Sequence, residues 1–335
     1  MPNLIIPKDY KSLLNIRQTE VAIKKVKDFF EKDLAIQLNL TRVSAPLFVK
    51  TSSGLNDTLN GIERPVSFDI KGEPDEVEIV QSLAKWKRHA LAHYGFERGE
   101  GLYTDMNAIR RDEDTDNLHS VYVDQWDWEV TINHEDRNIE TLKSFVNRIY
   151  ASLKHTERYI ANEYEFATRF LPENITFITS QELEDKYPDL TPKQREYAIT
   201  KEYGAVFIMQ IGGKLRSGKI HDGRAPDYDD WKLNGDIMVY YPVLDIALEL
   251  SSMGIRVDET SLISQLKERD CPERADLPFQ KALLEKKLPY TIGGGIGQSR
   301  MCMFFLHKAH VGEVQSSVWN EEDIKICLEN GINLL

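Results

Sequence analysis

Carboxylates, amides and arginines recur in this chain where strand periodicity would otherwise supply apolar residues. In "SVYVDQWDWEV" (120–130), alternation sets Gln125 and Asp127 on one face and Trp126 and Trp128 on the other, so an amide and a carboxylate stand two residues apart on one surface. In "ALELSS" (247–252), Glu249 and Ser251 share a face with Ala247 while Leu248 and Leu250 point away. A glutamate in a hydrophobic strand needs a partner, and a bound cation or an arginine is the usual one. The segment "HDGRAPDYDDW", His221 to Trp231, gathers Asp222, Asp227, Asp229 and Asp230 around Arg224 with no helical or strand period. It reads either as an acidic surface loop or, on its two aromatics, as a partly buried one. Finally, "TIGGGIGQSRMCMFFL" puts four glycines in five positions ahead of an apolar, helix-like run that carries Arg300 near its start. Bare N–H groups and a helix dipole there could hold an anion, or the glycines could form a turn that lets a strand and a helix pack closely. A P-loop is excluded because no lysine follows Gly297, and a dinucleotide fingerprint because its third glycine position is Gln298.

Other chemistries find less support. His89 and His93 stand at i, i+4 but lack the glutamate of a zincin motif and a third ligand, and no G-x-S-x-G elbow occurs. Cys271, Cys302 and Cys327 are too sparse for a disulfide framework or a zinc site. Of 335 residues, 41% are hydrophobic and 29% charged, and no run of 18 apolar residues or basic-plus-apolar leader is present, so a soluble, cytoplasmic protein is expected. A net charge of −12 disfavours non-specific binding of long nucleic acid but leaves room for a small anion near a local cluster such as "KWKRH", Lys85 to His89.

The elements that must position these groups can be read from periodicity. Ile16, Ile23, Val26, Phe30 and Leu34 predict a long helix from Lys11 to Asn39 that could also serve as a dimer surface. "LNLTRVSAPLFV" is β-like, with Pro46 at an edge, bulge or interface. "PVSFDIK" and "EVEIV" read as strands across a turn, "SLAKWKRHALAHYG" as a short helix, and "GLYTDMNAI" with "SVYVDQWDWEV" as a long hairpin. A helical middle follows over 135–165, then "GAVFIMQI", "GDIMVYYPV" and "DIALELSSMGIRV" as strands and two amphipathic helices before the glycine-rich loop. Hairpin-linked strands with inserted helices predict an α+β fold with an antiparallel sheet flanked by helices.

Three of these segments resemble the motifs of the class II aminoacyl-tRNA synthetases: "LNLTRVSAPLF" the first, ending in the interface proline Pro46; "NAIRRDEDTDNLHSVYVDQWDWE" the second; "GGGIGQSR" the third. The strings "SLAKWKR", "GEGLYT", "SVYVDQWDWE", "RAPDYDDW", "LNGDI", "ELSSMGIRV" and "TIGGGIGQSR", in order from about Tyr10 to Trp319, are similar to those of the asparagine synthetase A family, ammonia-dependent aspartate ligases.

That resemblance implies a single class II-like catalytic domain over residues 1–335, with an N-terminal dimerisation helix, a homodimer, and no anticodon-binding domain. It implies that aspartate, ATP and ammonia give asparagine, AMP and pyrophosphate through β-aspartyl-adenylate, with Mg²⁺ as cofactor and no tRNA or membrane partner. It assigns Arg110 to the α-phosphate, Arg300 to the γ-phosphate side, and the metal to Glu249 and Asp236. Ser120, Tyr228, Ser251, Ser252, Gly293, Gly294 and Gly295 complete the expected ATP site. Lys87 and Arg224 are assigned to the aspartate α-carboxylate; Asp127, Gln125 and Asp229 to its ammonium; Ser82 also to the substrate; and Asp57 to deprotonating the ammonia. Two alternatives remain at this stage. An aspartyl- or asparaginyl-tRNA synthetase-like paralogue would need an anticodon-binding domain, and a non-catalytic adenylate or amino-acid regulator would be expected to have lost Arg110, Asp127, Glu249 or Arg300.

Overall fold

In the computed structural model, which describes residues 4–57, 59 and 63–335, the long N-terminal helix α1 spans Ile16–Leu38. Asn15 and Gln18 close a reciprocal capping box at its start, and Asn39, in the left-handed region, ends it, so the helix is shorter at its N-terminus than periodicity predicts. Strand β1 (Leu40–Arg42) follows, then β2 (Phe48–Lys50), β3 (Ser67–Phe68), β4 (Val77–Ile79) and helix α2 (Ala84–Tyr94). The β5–β6 hairpin (Gly101–Ile109, Tyr122–Ile132) leads into α3 (Ile139–Glu163), β7 (Thr176–Thr179), α4 (Ser180–Lys186), α5 (Pro192–Tyr203) and β8 (Ala205–Met209). The last third holds β9 (Asp229–Tyr241), β10 (Ile246–Arg256), α6 (Glu259–Glu268), α7 (Pro278–Leu284), β11 (Tyr290–Gly297), α8 (Gln298–Phe305) and α9 (Glu321–Glu329).

Eight strands form one sheet in the order β1-β5-β6-β11-β10-β9-β8-β7. Its six central strands are antiparallel, but β1 pairs with β5 and β7 with β8 in parallel, so the sheet is mixed at both edges and not antiparallel throughout. The strands β2, β4 and β3 make a separate small sheet. The two sheet faces carry different jobs. On one, Trp126 and Trp128 are fully buried, with Phe30 of α1 4.9 Å from Trp126 and Phe145 of α3 stacked 5.9 Å from Trp128. The apolar stripe of α1 is spent here: Ala22, Ile23, Val26, Phe30, Leu34 and Leu38 are buried in the core, while Ile16 is exposed. On the opposite face α2 covers β5 through Ala90 and Leu91, with Leu83 just before the helix, and α4 and α5 cover β8 and β9 through Leu183 and Ile199. The sheet centre between them is left for polar residues.

The glycine-rich segment is not a loop. Residues 290–297 form β11, paired with β6 on one side and β10 on the other, and none of Gly293, Gly294, Gly295 or Gly297 has a positive φ. Three of the glycines serve close approach: the space a Cβ would need is taken by Glu129 and Arg256 at Gly293, by Met253 and the Ser252 carbonyl at Gly294, and by Gln125 at Gly295.

Candidate active site

A cavity of about 480 Å³ opens over the sheet centre, walled by β6, β9, β10 and β11, the start of α8, the β5–β6 connection and the 221–228 loop. That loop is largely buried, Ala225 and Asp227 among its residues, which decides against an acidic surface loop. Of the residues singled out from sequence, Ser82, Lys87, Arg110, Ser120, Gln125, Asp127, Arg224, Tyr228, Asp229, Asp236, Glu249, Ser251, Ser252, Gly294, Gly295 and Arg300 line this one cavity. Gly293 and Asp57 do not. Gly293 lies opposite Glu129, and a Cβ there would come 2.5 Å from Glu129 Cδ. Asp57 is buried in a separate cluster beside Lys85 and Asp227.

One wall is built from buried ion pairs. Lys87 of α2 donates to Asp127 Oδ1 and, at 2.9 Å, to the Gly294 carbonyl; burial pulls its ammonium pKa down despite Asp127. Arg224 donates to Ser252 Oγ and, at 2.6 Å, to Asp236 Oδ1, and Asp229 stands 4.0 Å from its Nε. Although burial opposes its charge, Asp236 and Asp229 hold the Arg224 pKa above its ordinary value. Behind these, Arg256 makes bonds of 2.7–3.1 Å to Glu129 and a further one to Asp229, and Thr291 Oγ1 donates to Glu129 at 2.7 Å. Burial again opposes the Arg256 charge, and Glu129 and Asp229 outweigh it.

Sequence reading missed Glu129 and Arg256. Strand alternation places Glu129 on the face of Gln125 and Asp127, the signal that could have found it. Alternation also misassigns a serine. The register shifts between Glu249 and Ser251, so Ser252, opposite Gly295, joins the Asp127 face, and Ser251 stands opposite the core residue Ile296.

Against this saturated framework, a few polar atoms lack partners. Arg224 Nε and Arg110 Nε are buried donors, and Asp127 Oδ2 is a buried acceptor, with no hydrogen bond among the described residues. Such groups cost free energy unless a ligand or water meets them. Arg224 and Asp127 both line the cavity, and an unmet guanidinium donor with an unmet carboxylate oxygen offers the two charges that complement an α-amino acid zwitterion. Across the cavity Arg300 is loosely held, 3.3 Å from the Glu249 carbonyl, 3.4 Å from the Leu118 carbonyl and 3.8 Å from Glu249 Oε2. The start of α8 is already met by an internal carboxylate: Asp124 Oδ1 accepts from Ser299 N at 3.0 Å.

Asp236 and Glu249 form a pair of carboxylates on adjacent strands. Burial, with Glu249 nearby, pushes Asp236 up to about 6 even though Arg224 opposes this. Two hard oxygen donors that repel one another fit a divalent cation completed by substrate phosphates, the usual manner of Mg²⁺; no cluster of three or more His, Cys, Asp or Glu that could hold a metal occurs among the described residues. No helix among the described residues is long and apolar enough to cross a membrane.

Comparison with known proteins agrees with this geometry. Among solved structures, the asparaginyl-tRNA synthetase of Pyrococcus horikoshii complexed with asparaginyl-adenylate superposes with a TM-score of 0.64 at 14% identity, over 91% of this chain and 71% of that one. The aspartyl-tRNA synthetase of Entamoeba histolytica gives 0.61 at 14% identity, over 92% and 60%. At such identity these likenesses speak for fold: a class II synthetase catalytic core. By sequence, the chain is 68% identical to an aspartate–ammonia ligase of Clostridium perfringens and 64% identical to one of Ruminiclostridium cellulolyticum, each over the whole of both chains. The family model for aspartate-ammonia ligase matches residues 17–331, and the chain belongs to that family.

Proposed function

We propose that this protein converts L-aspartate and ammonia to L-asparagine, using ATP and releasing AMP and pyrophosphate through β-aspartyl-adenylate. The observation that carries the reading is the unmet donor–acceptor pair, Arg224 Nε and Asp127 Oδ2, in a cavity that also exposes Arg110 and Arg300. The pair fits the α-carboxylate and α-ammonium of one amino acid, with Lys87 beside Asp127 and Gln125 and Ser82 on the same wall. Asp229 is held between Arg224 and Arg256 and so orients the clamp more than it contacts the ammonium.

Carboxylates resist amidation because they are poor electrophiles, and adenylation removes that obstacle. The aspartate β-carboxylate attacks the α-phosphorus of ATP, pyrophosphate leaves, and ammonia then displaces AMP at the acyl carbon. Charge accumulates on the phosphoryl oxygens as this proceeds, so fixed cations are what the site must supply. Arg110 serves the α-phosphate and Arg300 the γ-phosphate side. Tyr228, Ser120, Ser252 and the backbone of Gly294 and Gly295 border the nucleotide. Asp236 and Glu249 would hold Mg²⁺, which when bound neutralises phosphate charge.

We further propose that residues 1–335 act as one catalytic domain in the cytoplasm and as a homodimer. The exposed Leu47 and the Phe48–Phe68 pair next to Pro46, with Ile16, Val21 and Ile36 exposed on α1, offer apolar surface for a second copy. Sedimentation at micromolar concentration would reveal a stable monomer if this is wrong. For the reaction, incubation with aspartate, ATP, Mg²⁺ and ammonium should yield asparagine and AMP in equal amounts; ADP in place of AMP, or no asparagine, defeats the adenylate reading.

A further inference from the structure

Behind the aspartate wall lies a second buried cluster whose hydrogen-bond inventory does not balance. Asp57 is 2% exposed and Asp227 1%, and Gln81 and Gln280 are fully buried. Lys85 Nζ stands 3.0 Å from Asp227 Oδ2, and Gln280 Nε2 donates to the same oxygen at 2.6 Å. Gln81 Nε2 donates to the Asp57 carbonyl at 3.0 Å, and Leu59 N to Asp57 Oδ1 at 3.1 Å. These bonds fix the orientation of both amides, because each NH₂ already has its acceptor.

What remains is one-sided. Asp57 Oδ2, Asp227 Oδ1, Gln81 Oε1 and Gln280 Oε1 are all buried without a hydrogen-bond partner among the described residues, and all four are acceptors. Two carboxylates and one ammonium leave the cluster with one negative charge when both acids are ionised. A water molecule would bring only two donors and no charge. The species that balances the inventory is small, cationic, able to donate up to four hydrogen bonds and unable to accept any. The cluster also borders the reaction cavity: Gln81 lines both, and Tyr228 of the cavity wall feels the charge of Asp57.

We propose that Asp57, Asp227, Gln81 and Gln280 form a docking pocket for ammonium, from which ammonia passes to the acyl-adenylate. This rests on the ammonia-dependent reaction proposed above. Bound ammonium gives one proton to Asp57, leaving ammonia and a neutral carboxylic acid. The nitrogen lone pair forms the C–N bond to the β-carbonyl carbon, the C–O bond to phosphate breaks, and AMP departs with that electron pair and takes up the proton the new amide sheds. Burial raises the Asp57 carboxyl above its ordinary value; Lys85 opposes this and Asp227 adds to it, with the Leu59 N–H and the Arg110 charge opposing more weakly, and the net rise suits the group to receive that proton. Gln280 and Asp227 act as positioning residues.

The two half-reactions separate the test. Aspartate-dependent exchange of pyrophosphate into ATP needs no ammonia and reports adenylation alone. Gln280→Leu and Asp227→Asn should raise the KM for ammonium about tenfold or more, the scale of a lost hydrogen bond to a charged ligand, with exchange within about twofold of wild type. Should Asp227→Asn fail to fold with Lys85 unpaired, Gln280→Leu, which leaves every charge in place, still decides. An unchanged KM for ammonium overturns the proposal, as does a fall in exchange parallel to the fall in synthesis, which would mark a packing role. Potassium dependence of the wild type with no change in the variants' KM for ammonium would assign the pocket to an alkali cation and overturn it equally. Absence of exchange in the wild-type enzyme would instead defeat the adenylate reading.

Discussion

Two glycines of β11, two residues apart, should fail in opposite ways when given a methyl group. At Gly293 an added Cβ overlaps Glu129 Oε2 and lies 2.5 Å from Glu129 Cδ and 2.7 Å from Arg256 Nη2. Neither group can yield cheaply, because Glu129 is fully buried and fixed by Arg256 and Thr291. Displacing Oε2 breaks its bonds of 2.7 Å to Arg256 Nη2 and 3.1 Å to Arg256 Nε. At about 1.5–3 kcal/mol per charge-assisted bond, Gly293→Ala should lose about 3–5 kcal/mol of stability, comparable to breaking a buried ion pair. At Gly295 the nearest group is the end of the Gln125 side chain, with Cδ at 3.1 Å and Asp127 Oδ2 at 3.6 Å. Gln125 can rotate away, so Gly295→Ala should cost about 1 kcal/mol in stability. Its methyl would then sit beside the unmet oxygen of Asp127, and aspartate affinity should fall about tenfold or more, a loss of about 1.4 kcal/mol or more. Urea midpoints and calorimetric titration with aspartate measure both quantities on both variants. A wild-type midpoint for Gly293→Ala, or full aspartate affinity in Gly295→Ala, would refute the division of labour along this strand.

Three further outcomes are expected. Glu249→Gln should keep the fold and lose most activity, since a neutral amide is a poor ligand for a hard cation; activity retained at ordinary Mg²⁺ would remove Glu249 from the metal site. Arg300→Ala should weaken ATP binding by about 2 kcal/mol while leaving aspartate binding nearly unchanged, and equal losses for the two substrates would make Arg300 structural. Glutamine should not replace ammonia: burial pushes the Cys302 thiol up to about 12 and the Cys327 thiol up to about 11, and Cys271 is also raised, so no thiolate is poised to release nitrogen from an amide. Asparagine formed with stoichiometric glutamate in ammonium-free buffer would contradict that.

Much of this site was legible because strand periodicity reports faces directly. Gln125 and Asp127 were separated from Trp126 and Trp128 by alternation alone, and the structure keeps that separation. Periodicity failed where pairing geometry intervenes: the register shift in β10 exchanged Ser251 for Ser252, a local insertion that leaves no compositional mark. The glycine run reads as a loop in sequence because glycine breaks isolated strands; two flanking strands, whose atoms fill the missing Cβ positions at Gly293, Gly294 and Gly295, make it a strand. Arg256 was invisible for a related reason, since its partners Glu129 and Asp229 lie 127 and 27 residues away in sequence.

The two halves of the cavity are prepared differently, and the difference suits their ligands. On the side proposed for aspartate, Lys87, Arg224 and Arg256 are each held by buried carboxylates, so little would reorganise on binding a small zwitterion, and only single atoms such as Arg224 Nε and Asp127 Oδ2 are left for it. A rigid clamp of this kind discriminates by leaving a buried polar group unpaired whenever the wrong side chain enters. On the side proposed for the nucleotide, Arg300 has only long contacts, to the Leu118 and Glu249 carbonyls and to Glu249 Oε2 at 3.8 Å, and Arg110 Nε has no partner among the described residues. In the proposed site, cations left unsaturated would keep their donors for the phosphates, whose negative charge changes position during the reaction, and this is where electrostatic stabilisation can follow the transition state. Substitution on the aspartate side should therefore appear first in stability and aspartate affinity, and substitution on the nucleotide side in ATP affinity and turnover.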